Sequence, residues 1–144
     1  IAEKFNLKIG LQTSEKLKMT VGSLYTSDNE RFVVNGRDIT TGRPRSVAVS
    51  SPDIYECVKV FADKVIEYTS MVLAKLPAEV SASVWRGGIF LSGGGGKLIG
   101  LDDYMSRALQ MDVTLADEPQ MAVILGGGRT VGNDDILETV RIGY

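Results

Sequence analysis

The chain is 144 residues long, with 44% hydrophobic and 24% charged residues, which is the composition of one ordinary globular domain. Its formal net charge of −2 argues against a nucleic-acid-binding surface, and the absence of histidine excludes Ser-His-Asp and Cys-His catalysis and histidine-ligated metals. The single cysteine, Cys57, excludes an internal disulfide and fits a reducing cytoplasm, and no apolar run approaches the ~18 residues of a transmembrane helix.

The first two segments both favour helices. "IAEKFNLKIG" predicts the last turns of a helix that ends near Gly10, and a start at Ile1 suggests a piece of a longer protein. "QTSEKLKMTVGS" predicts a short helix with Thr13 or Ser14 as its N-cap. Leu17 and Val21 are four residues apart and lie on one face of that helix.

After a polar turn, "RFVVNGRDITTGRPRSVAVSS" predicts a β-hairpin. Valines alternate with small residues in its second half, and "TTGRPR" supplies the reversal. Arg37, Arg43 and Arg45 cluster around this turn. They predict either a solvated tip or a surface for a partner that carries acidic groups.

The strongest local pattern follows the hairpin and predicts a long amphipathic helix. Ser50 or Ser51 can cap it, and Pro52 suits its first position. The spacing predicts about 24 residues, ending at Pro77. The predicted apolar stripe comprises Ile54, Val58, Phe61, Val65, Tyr68, Val72 and Leu76. Cys57 lies beside this stripe and is predicted to be a buried, unreactive thiol.

The remaining segments predict an α/β layer. "PAEVSASVWRG" is typical of a short helix, "GIFLS" of a buried strand, "LIGLDDYMSRALQM" of a helix and "DVTLAD" of a strand. "EPQMAVILGGGRTVGNDDILETVRIGY" predicts two helical pieces, in which Gly126–Gly128 indicate close packing against another backbone. The strand, helix, strand, helix order favours an α/β layer, with the hairpin in a smaller α+β insert.

Two groups of residues are candidates for ligand contacts. Gly93–Gly96 lie at a strand-to-helix turn, where exposed N–H groups without Cβ atoms allow a phosphate or a flat nucleobase to approach. This is not a Walker A loop, because Lys97 is followed by Leu98 rather than Ser or Thr. The glycines alone fit either a ligand loop or a tight turn. Glu15 and Lys18 fit either a functional pair or an exposed ion pair.

The order of motifs resembles the C-terminal half of the MreB-like bacterial actins, the rod shape-determining proteins. The segments are "FNLKIGLQTSEKLKMTVGS", "VNGRDITTGRPRSVAVSS", "LPAEVSASVWRGGIFLSGGGGKLIGLDDYM" and "LADEPQMAVILGGGRT", spread over residues 3–133. The resemblance implies an α/β fold that is part of an actin/Hsp70-like (ribonuclease-H-like) ATPase domain with a small α+β outer subdomain. Residues 1–75 would form the outer subdomain with its long connecting helix, and residues 76–144 part of the core subdomain.

The resemblance also implies a function. It implies a cytoplasmic, ATP-binding filament protein peripheral to the inner membrane, which self-assembles, acts with cell-wall elongation proteins and binds no nucleic acid. Adenosine would lie between the short helix and the glycine loop, with Glu15 at the ribose or adenine and Lys18 nearby. The nucleotide-binding wall would comprise Gly93, Gly94, Gly95, Gly96 and Lys97.

The sequence departs from the family pattern in informative places. "GLQTSE" places Gln12 where an arginine is usual, and "GGGGKLIG" adds the charge of Lys97. The family's two Asp-x-Gly phosphate hairpins and its water-positioning acid are not in these residues, so Mg²⁺ would be held elsewhere. The chain alone is therefore predicted to lack ATPase activity. The alternatives are part of a sugar kinase or an Hsp70-type ATPase, or a binding module that has lost ATP.

Overall fold

The computed structural model describes residues 1–141, with helices and strands in mixed order. The elements are α1 (Ala2–Phe5), β1 (Leu7–Lys8), α2 (Leu11–Val21), β2 (Arg31–Asp38), β3 (Pro44–Ser50), α3 (Ser51–Leu73), α4 (Ala78–Gly87), β4 (Ile89–Leu91), α5 (Leu101–Leu109), β5 (Val113–Leu115), α6 (Ala122–Thr130) and α7 (Asp134–Val140). A single 3-10 turn, Gly94–Lys97, follows β4.

The first helix is shorter than predicted. It ends before Asn6, which adopts the left-handed conformation (φ 51°, ψ 37°) that asparagine tolerates better than most residues. The chain then enters β1, so the prediction of a helix that closes at Gly10 is wrong. Gly10 instead precedes the first residue of α2 as its N-cap.

Helix α2 is where the sequence predicts it, but it begins earlier. Gly10 occupies the N-cap, so the prediction of Thr13 or Ser14 as the cap is wrong and both residues lie inside the first turns. Leu17 and Val21 are both buried on one face, as their spacing predicts.

The predicted hairpin is confirmed as β2 and β3, which join β1 in an antiparallel sheet of order β1-β2-β3. Seven residue pairs fix its register, from Arg31 opposite Ser50 to Arg37 opposite Pro44. Val34 and Val49 are completely buried. The alternation of the sequence therefore places one face of the hairpin against the core.

The turn of the hairpin is held by Asp38. Its Oδ1 accepts hydrogen bonds from the backbone N–H groups of Thr40 and Thr41, at 3.0 and 2.9 Å. Its Oδ2 pairs with Arg45 at 2.8 Å, and Arg45 also donates to the carbonyl of Phe5. These bonds lower the pKa of Asp38, and the Thr41 backbone N–H is the main cause. Arg45 is thus a structural contact of the turn and not part of a freely solvated tip.

Helix α3 begins where its capping residues predict. Ser50 is the N-cap, and the Asp53 carboxylate accepts bonds from both the backbone N–H and the hydroxyl of Ser50. Ile54, Val58 and Ala62 bury one face of the first half. The helix has 23 residues and ends before Pro77, close to the predicted length.

The second half of the predicted stripe on α3 is not buried. Tyr68 and Val72 are 60% and 61% exposed, and Phe61 is about half exposed. Cys57 is exposed as well, so the prediction of a buried thiol is wrong. Successive residues of a helix are ~100° apart, so Cys57 lies on the flank of the face that carries Val58.

The carboxyl-terminal part contains a strand–helix–strand unit. Strands β4 and β5 pair in parallel, Ile89 opposite Val113, and α5 connects them, which confirms the predicted order. Leu101 and Met105 bury one face of α5. The prediction that "GIFLS" forms a buried strand is wrong in one respect, since Phe90 is 71% exposed. The described residues leave the face of β4 that carries Phe90 exposed.

Helices α6 and α7 confirm the two predicted helical pieces, although residues 142–144 of that segment lie outside the described part. The three glycines of α6 do not pack closely within the described chain. A Cβ built at Gly126, Gly127 or Gly128 meets no described atom within 4 Å. The prediction of close backbone packing is therefore wrong for residues 1–141. None of the helices within residues 1–141 combines the length and the hydrophobicity of a transmembrane span.

Candidate functional site

The glycine segment forms a tight turn directly after β4. Gly93 has φ +79°, a conformation that a side chain would strain, and its N–H donates to the carbonyl of Pro119 at 2.6 Å. The 3-10 turn Gly94–Lys97 closes with a bond from the Leu98 N–H to the Gly95 carbonyl. The loop predicted from four consecutive glycines is thus an ordered turn.

The glycines of this turn face two different environments. A Cβ at Gly93 or Gly95 would meet no described atom within 4 Å, and one at Gly94 only the side-chain amide of Gln120, at 3.4 Å. A Cβ at Gly96 would lie 3.1 Å from Leu115 and 3.3 Å from Leu91. Three glycines therefore leave room for an approaching group, and the fourth packs inward against the strands.

Helix α2 carries the other predicted contact residues. The Nζ of Lys18 lies 2.8 Å from the Oε1 of Glu15, and both side chains are about half exposed. Lys18 also accepts, through its carbonyl, the N–H of Gly22 at the end of the helix. The predicted pair therefore exists, in a geometry that an ordinary exposed i,i+3 ion pair also adopts.

A short backbone connection links α2 to the glycine turn. Ser23 and Ile99 form a parallel bridge, and the N–H of Leu24 donates to the Ile99 carbonyl at 2.9 Å. A Cβ on Gly22 would lie 3.3 Å from Leu98. The end of α2 is therefore fixed against the segment that follows the turn. Among described residues, no hydrogen bond or ion pair joins the predicted side chains across this junction.

The charges around the turn are sparse. Lys97 is exposed at the end of the 3-10 turn and forms no ion pair with a described carboxylate. Within residues 1–141, no group of three or more acidic or cysteine side chains could hold a metal ion. For contacts with a ligand, the predicted site residues thus provide backbone N–H and C=O groups, one carboxylate and two ammonium groups.

Two concave regions are lined by none of the predicted site residues. One cavity, of about 480 Å³, is lined by Tyr25, Tyr55, Tyr104 and Arg107 among others. A second, of about 280 Å³, lies beside Phe90 on β4 and α6. Sequence reasoning singled out none of the first group as site residues, because they come from three separate segments with no motif in common.

The comparisons with known proteins agree on one family. A protein-family model, described as MreB/Mbl protein, matches residues 1–139. The cell shape-determining protein Mbl of Bacillus cereus is 36% identical over 138 residues, which cover 95% of this chain and 41% of that protein. The cell shape-determining protein MreB of Escherichia coli is 28% identical over 132 residues, covering 91% of this chain and 38% of that protein.

Solved structures show the same fold. MreB 5 of Spiroplasma citri bound to AMPPNP matches with a TM-score of 0.85 and 26% identity, over 97% of this chain and 42% of that one. The non-polymerising A278D mutant of MamK bound to AMPPNP matches with a TM-score of 0.62 and 20% identity, over 81% of this chain and 35% of that one. These matches confirm the predicted fold class, an α/β part of an actin-like domain.

The extent of the matches defines what the chain represents. It spans 41% of the length of the Bacillus cereus relative and 42% of the Spiroplasma citri structure. The family model covers nearly all of these 144 residues, from the first helix to α7. The chain therefore belongs to the MreB/Mbl family.

Proposed function

We propose that this chain is part of an actin-like cytoskeletal protein that binds ATP, assembles into filaments and controls cell shape. The observation that carries the proposal is the family match over residues 1–139, with relatives named as cell shape-determining proteins. The protein would act in the cytoplasm at the inner membrane, together with cell-wall elongation proteins. On this proposal residues 1–75 form the outer subdomain and residues 76–144 part of the core subdomain.

The adenosine of the nucleotide would lie between α2 and the glycine turn. The open Cβ positions of Gly93 and Gly95 support this, because a flat base needs close access to backbone. Glu15 would accept hydrogen bonds from ribose hydroxyls, and Lys18 would hold the carboxylate in place. MreB 5 of Spiroplasma citri has been solved with both AMPPNP and ADP, which supports an adenine nucleotide.

The phosphate end of the site would lie outside these residues. Phosphoryl transfer needs backbone and metal ions around the β- and γ-phosphates. The sequence does not contain the two Asp-x-Gly phosphate hairpins of the family, and residues 1–141 hold no group of three or more acidic or cysteine side chains that could bind a metal ion. We therefore expect the 144-residue chain to show no ATPase activity alone, and measurable turnover by the purified chain would contradict this.

The glycine turn offers a sharp test in the complete protein that contains these residues. Gly95→Ala adds a methyl group where the described chain leaves space, so we expect normal folding and ~10-fold weaker binding of a fluorescent ADP analogue. Gly96→Ala places its methyl group inward, against Leu115, and should lower stability rather than affinity. Gly87→Ala, at an equally open position in α4, is the matched control. Equal affinities for Gly95→Ala and Gly87→Ala would refute the proposed wall.

The carboxylate of α2 is tested separately. Glu15→Gln keeps the shape of the side chain and removes the charge that would bind the ribose. We expect several-fold weaker nucleotide binding, with little change in stability because the pair with Lys18 is exposed. Glu67→Gln, the same substitution at an exposed glutamate on α3, is the control. If both variants bind alike, Glu15 has no role in the site.

Filament assembly is tested by sedimentation of the complete protein with and without ATP. The hairpin turn near Arg43 is the part of this chain that we expect at a subunit contact. Arg43→Glu should reduce the sedimented fraction, whereas Arg86→Glu, on the exposed end of α4, should not. Arg45 is unsuitable for this test, because its bond to Asp38 holds the turn itself. Sedimentation that does not respond to ATP would favour the kinase-like or binding-module alternatives.

A further inference from the structure

The larger cavity lies where three separate parts of the chain meet. It is formed by the loop after α2, the first half of α3 and one face of α5, and its lining includes Leu24, Tyr25, Tyr55, Tyr104, Arg107 and Ala108. Its volume of about 480 Å³ is within the ~300–1,000 Å³ typical of ligand sites. None of the residues proposed to contact nucleotide lines it.

Two tyrosines form fixed walls of this cavity. The hydroxyl of Tyr25 donates to the Asp103 carboxylate at 2.5 Å, and that of Tyr104 donates to Asp63 at 2.7 Å. The ring of Tyr25 also packs against Gly100, where an added Cβ would be 3.2 Å from it. Because these rings are held before any ligand arrives, binding would cost little side-chain entropy.

The polar side chains that line the cavity carry one guanidinium, that of Arg107, and five hydroxyl groups, which can both donate and accept hydrogen bonds. Arg107 is the one charged side chain in its described lining, and its Nε donates to the Asp103 carbonyl of its own helix. No described carboxylate lies within ion-pair distance of its guanidinium. The hydroxyl of Tyr55 likewise has no hydrogen-bond partner in the described part of the chain, whereas the nearby Asp63 carboxylate is occupied by Lys59 and a tyrosine.

We propose that this cavity is a docking site for a partner protein segment that presents a carboxylate beside an aromatic or aliphatic side chain. The guanidinium of Arg107 can bind a carboxylate with two parallel hydrogen bonds, and the Tyr55 hydroxyl adds a third donor. The rings of Tyr25 and Tyr104, together with Leu24, cover the apolar side chain. The carboxylate of the partner would pair with Arg107, and its apolar neighbour would pack on the tyrosine rings.

The test measures the fluorescence anisotropy of a labelled peptide, acetyl-Gly-Asp-Phe-Gly-amide, with the complete protein kept free of nucleotide. We expect saturable binding that Arg107→Gln weakens at least 10-fold, because it removes the charged two-bond contact, and that Tyr55→Phe weakens 2- to 5-fold, because it removes one neutral bond. Arg86→Gln, an exposed arginine on α4, should bind like the parent. A peptide with lysine in place of aspartate should bind at least 10-fold more weakly.

Several outcomes would overturn the proposal. They are no saturable binding, equal binding of the aspartate and lysine peptides, or binding that neither Arg107→Gln nor Tyr55→Phe changes. Far-UV circular dichroism of each variant checks that the fold is intact. We expect both variants to fold, because the only described hydrogen bond of these two side chains is the exposed one from Arg107 to the Asp103 carbonyl. Since neither residue contacts the glycine turn, failure here leaves the nucleotide proposal unaffected.

Discussion

The cap of the long helix gives a quantitative prediction about acid stability. Asp53 accepts the backbone N–H and the hydroxyl of Ser50 on one oxygen, at 2.8 and 2.6 Å. Its other oxygen pairs with the ammonium of Lys4 at 2.8 Å. This single carboxylate therefore joins the start of α3 to α1, two elements nearly 50 residues apart in the chain. Asp53→Asn removes its charge and keeps its size.

These contacts lower the pKa of Asp53 from its ordinary value of 3.8 to about 2, with the Lys4 ammonium as the largest cause and Ser50 next. A lowered pKa in the folded state means that the ionised group stabilises the fold above pH ~4, and that this contribution is lost as pH falls towards 2. The shift corresponds to about 2 kcal/mol. Since the side chain is 24% exposed, we expect about 1–2 kcal/mol at pH 7.

The assay is urea denaturation followed by far-UV circular dichroism at pH 7 and at steps between pH 5 and pH 2. Asp53→Asn should lower the free energy of unfolding at pH 7 and flatten its decline below pH 4. Lys4→Met should produce part of the same effect, and Ser50→Ala another part. Equal stability of Asp53→Asn and the parent at pH 7, or an unchanged decline on acidification, would refute the reasoning.

Three further predictions concern packing and backbone conformation, all measured by the same denaturation assay. Met105→Ala empties a position that is 1% exposed and should cost about 2–5 kcal/mol; a loss below ~1 kcal/mol would show that the site collapses freely. Gly100→Ala should cost more than ~1 kcal/mol, because the residue has φ +79° and faces the ring of Tyr25. Gly126→Ala should instead stabilise the 144-residue chain by ~0.5–1 kcal/mol, and destabilisation would reveal a contact with this face.

The sequence predicts local structure best where several signals agree. For α3, a serine cap, a proline in the first turn and regular apolar spacing all indicate the same start, and the helix begins at Ser51. The hairpin is similarly well defined by its turn and its alternating valines. By contrast, α1 ends early because one residue, Asn6, adopts a left-handed conformation, and an asparagine in a sequence does not by itself reveal that choice.

Burial is predicted less well than secondary structure, for a physical reason. Periodicity shows which face of an element is apolar, but burial requires another element to cover that face. Val58 and Val72 belong to the same predicted stripe, yet Val58 is buried and Val72 is largely exposed. The glycines of α6 illustrate the same limit on predicting burial. The sequence indicates that another backbone could pack closely there, but it does not indicate which element would do so.

The two candidate sites differ in how far the sequence could predict them. The glycine turn is continuous in the chain, so its residues are visible as one motif. The tyrosine-lined cavity combines positions 25, 55 and 104, and it exists only because α3 and α5 pack together beside the loop after α2. Tyr104 lies in a segment that the sequence predicts to be helical, but no pattern indicates that its hydroxyl would reach Asp63, 41 residues away.

The bridge between Ser23 and Ile99 lies between the glycine turn and the tyrosine-lined cavity and fixes residues of both regions. On one side it fixes the end of α2, which carries Lys18, against the segment that follows the glycine turn. On the other side it sets the position of Tyr25, whose N–H donates to the Ser23 hydroxyl and whose ring packs on Gly100. Because Ser23 is almost completely buried, this junction is shielded from competing water. The junction that fixes the end of α2 against the segment after the glycine turn therefore also fixes Tyr25, and with it one wall of the cavity.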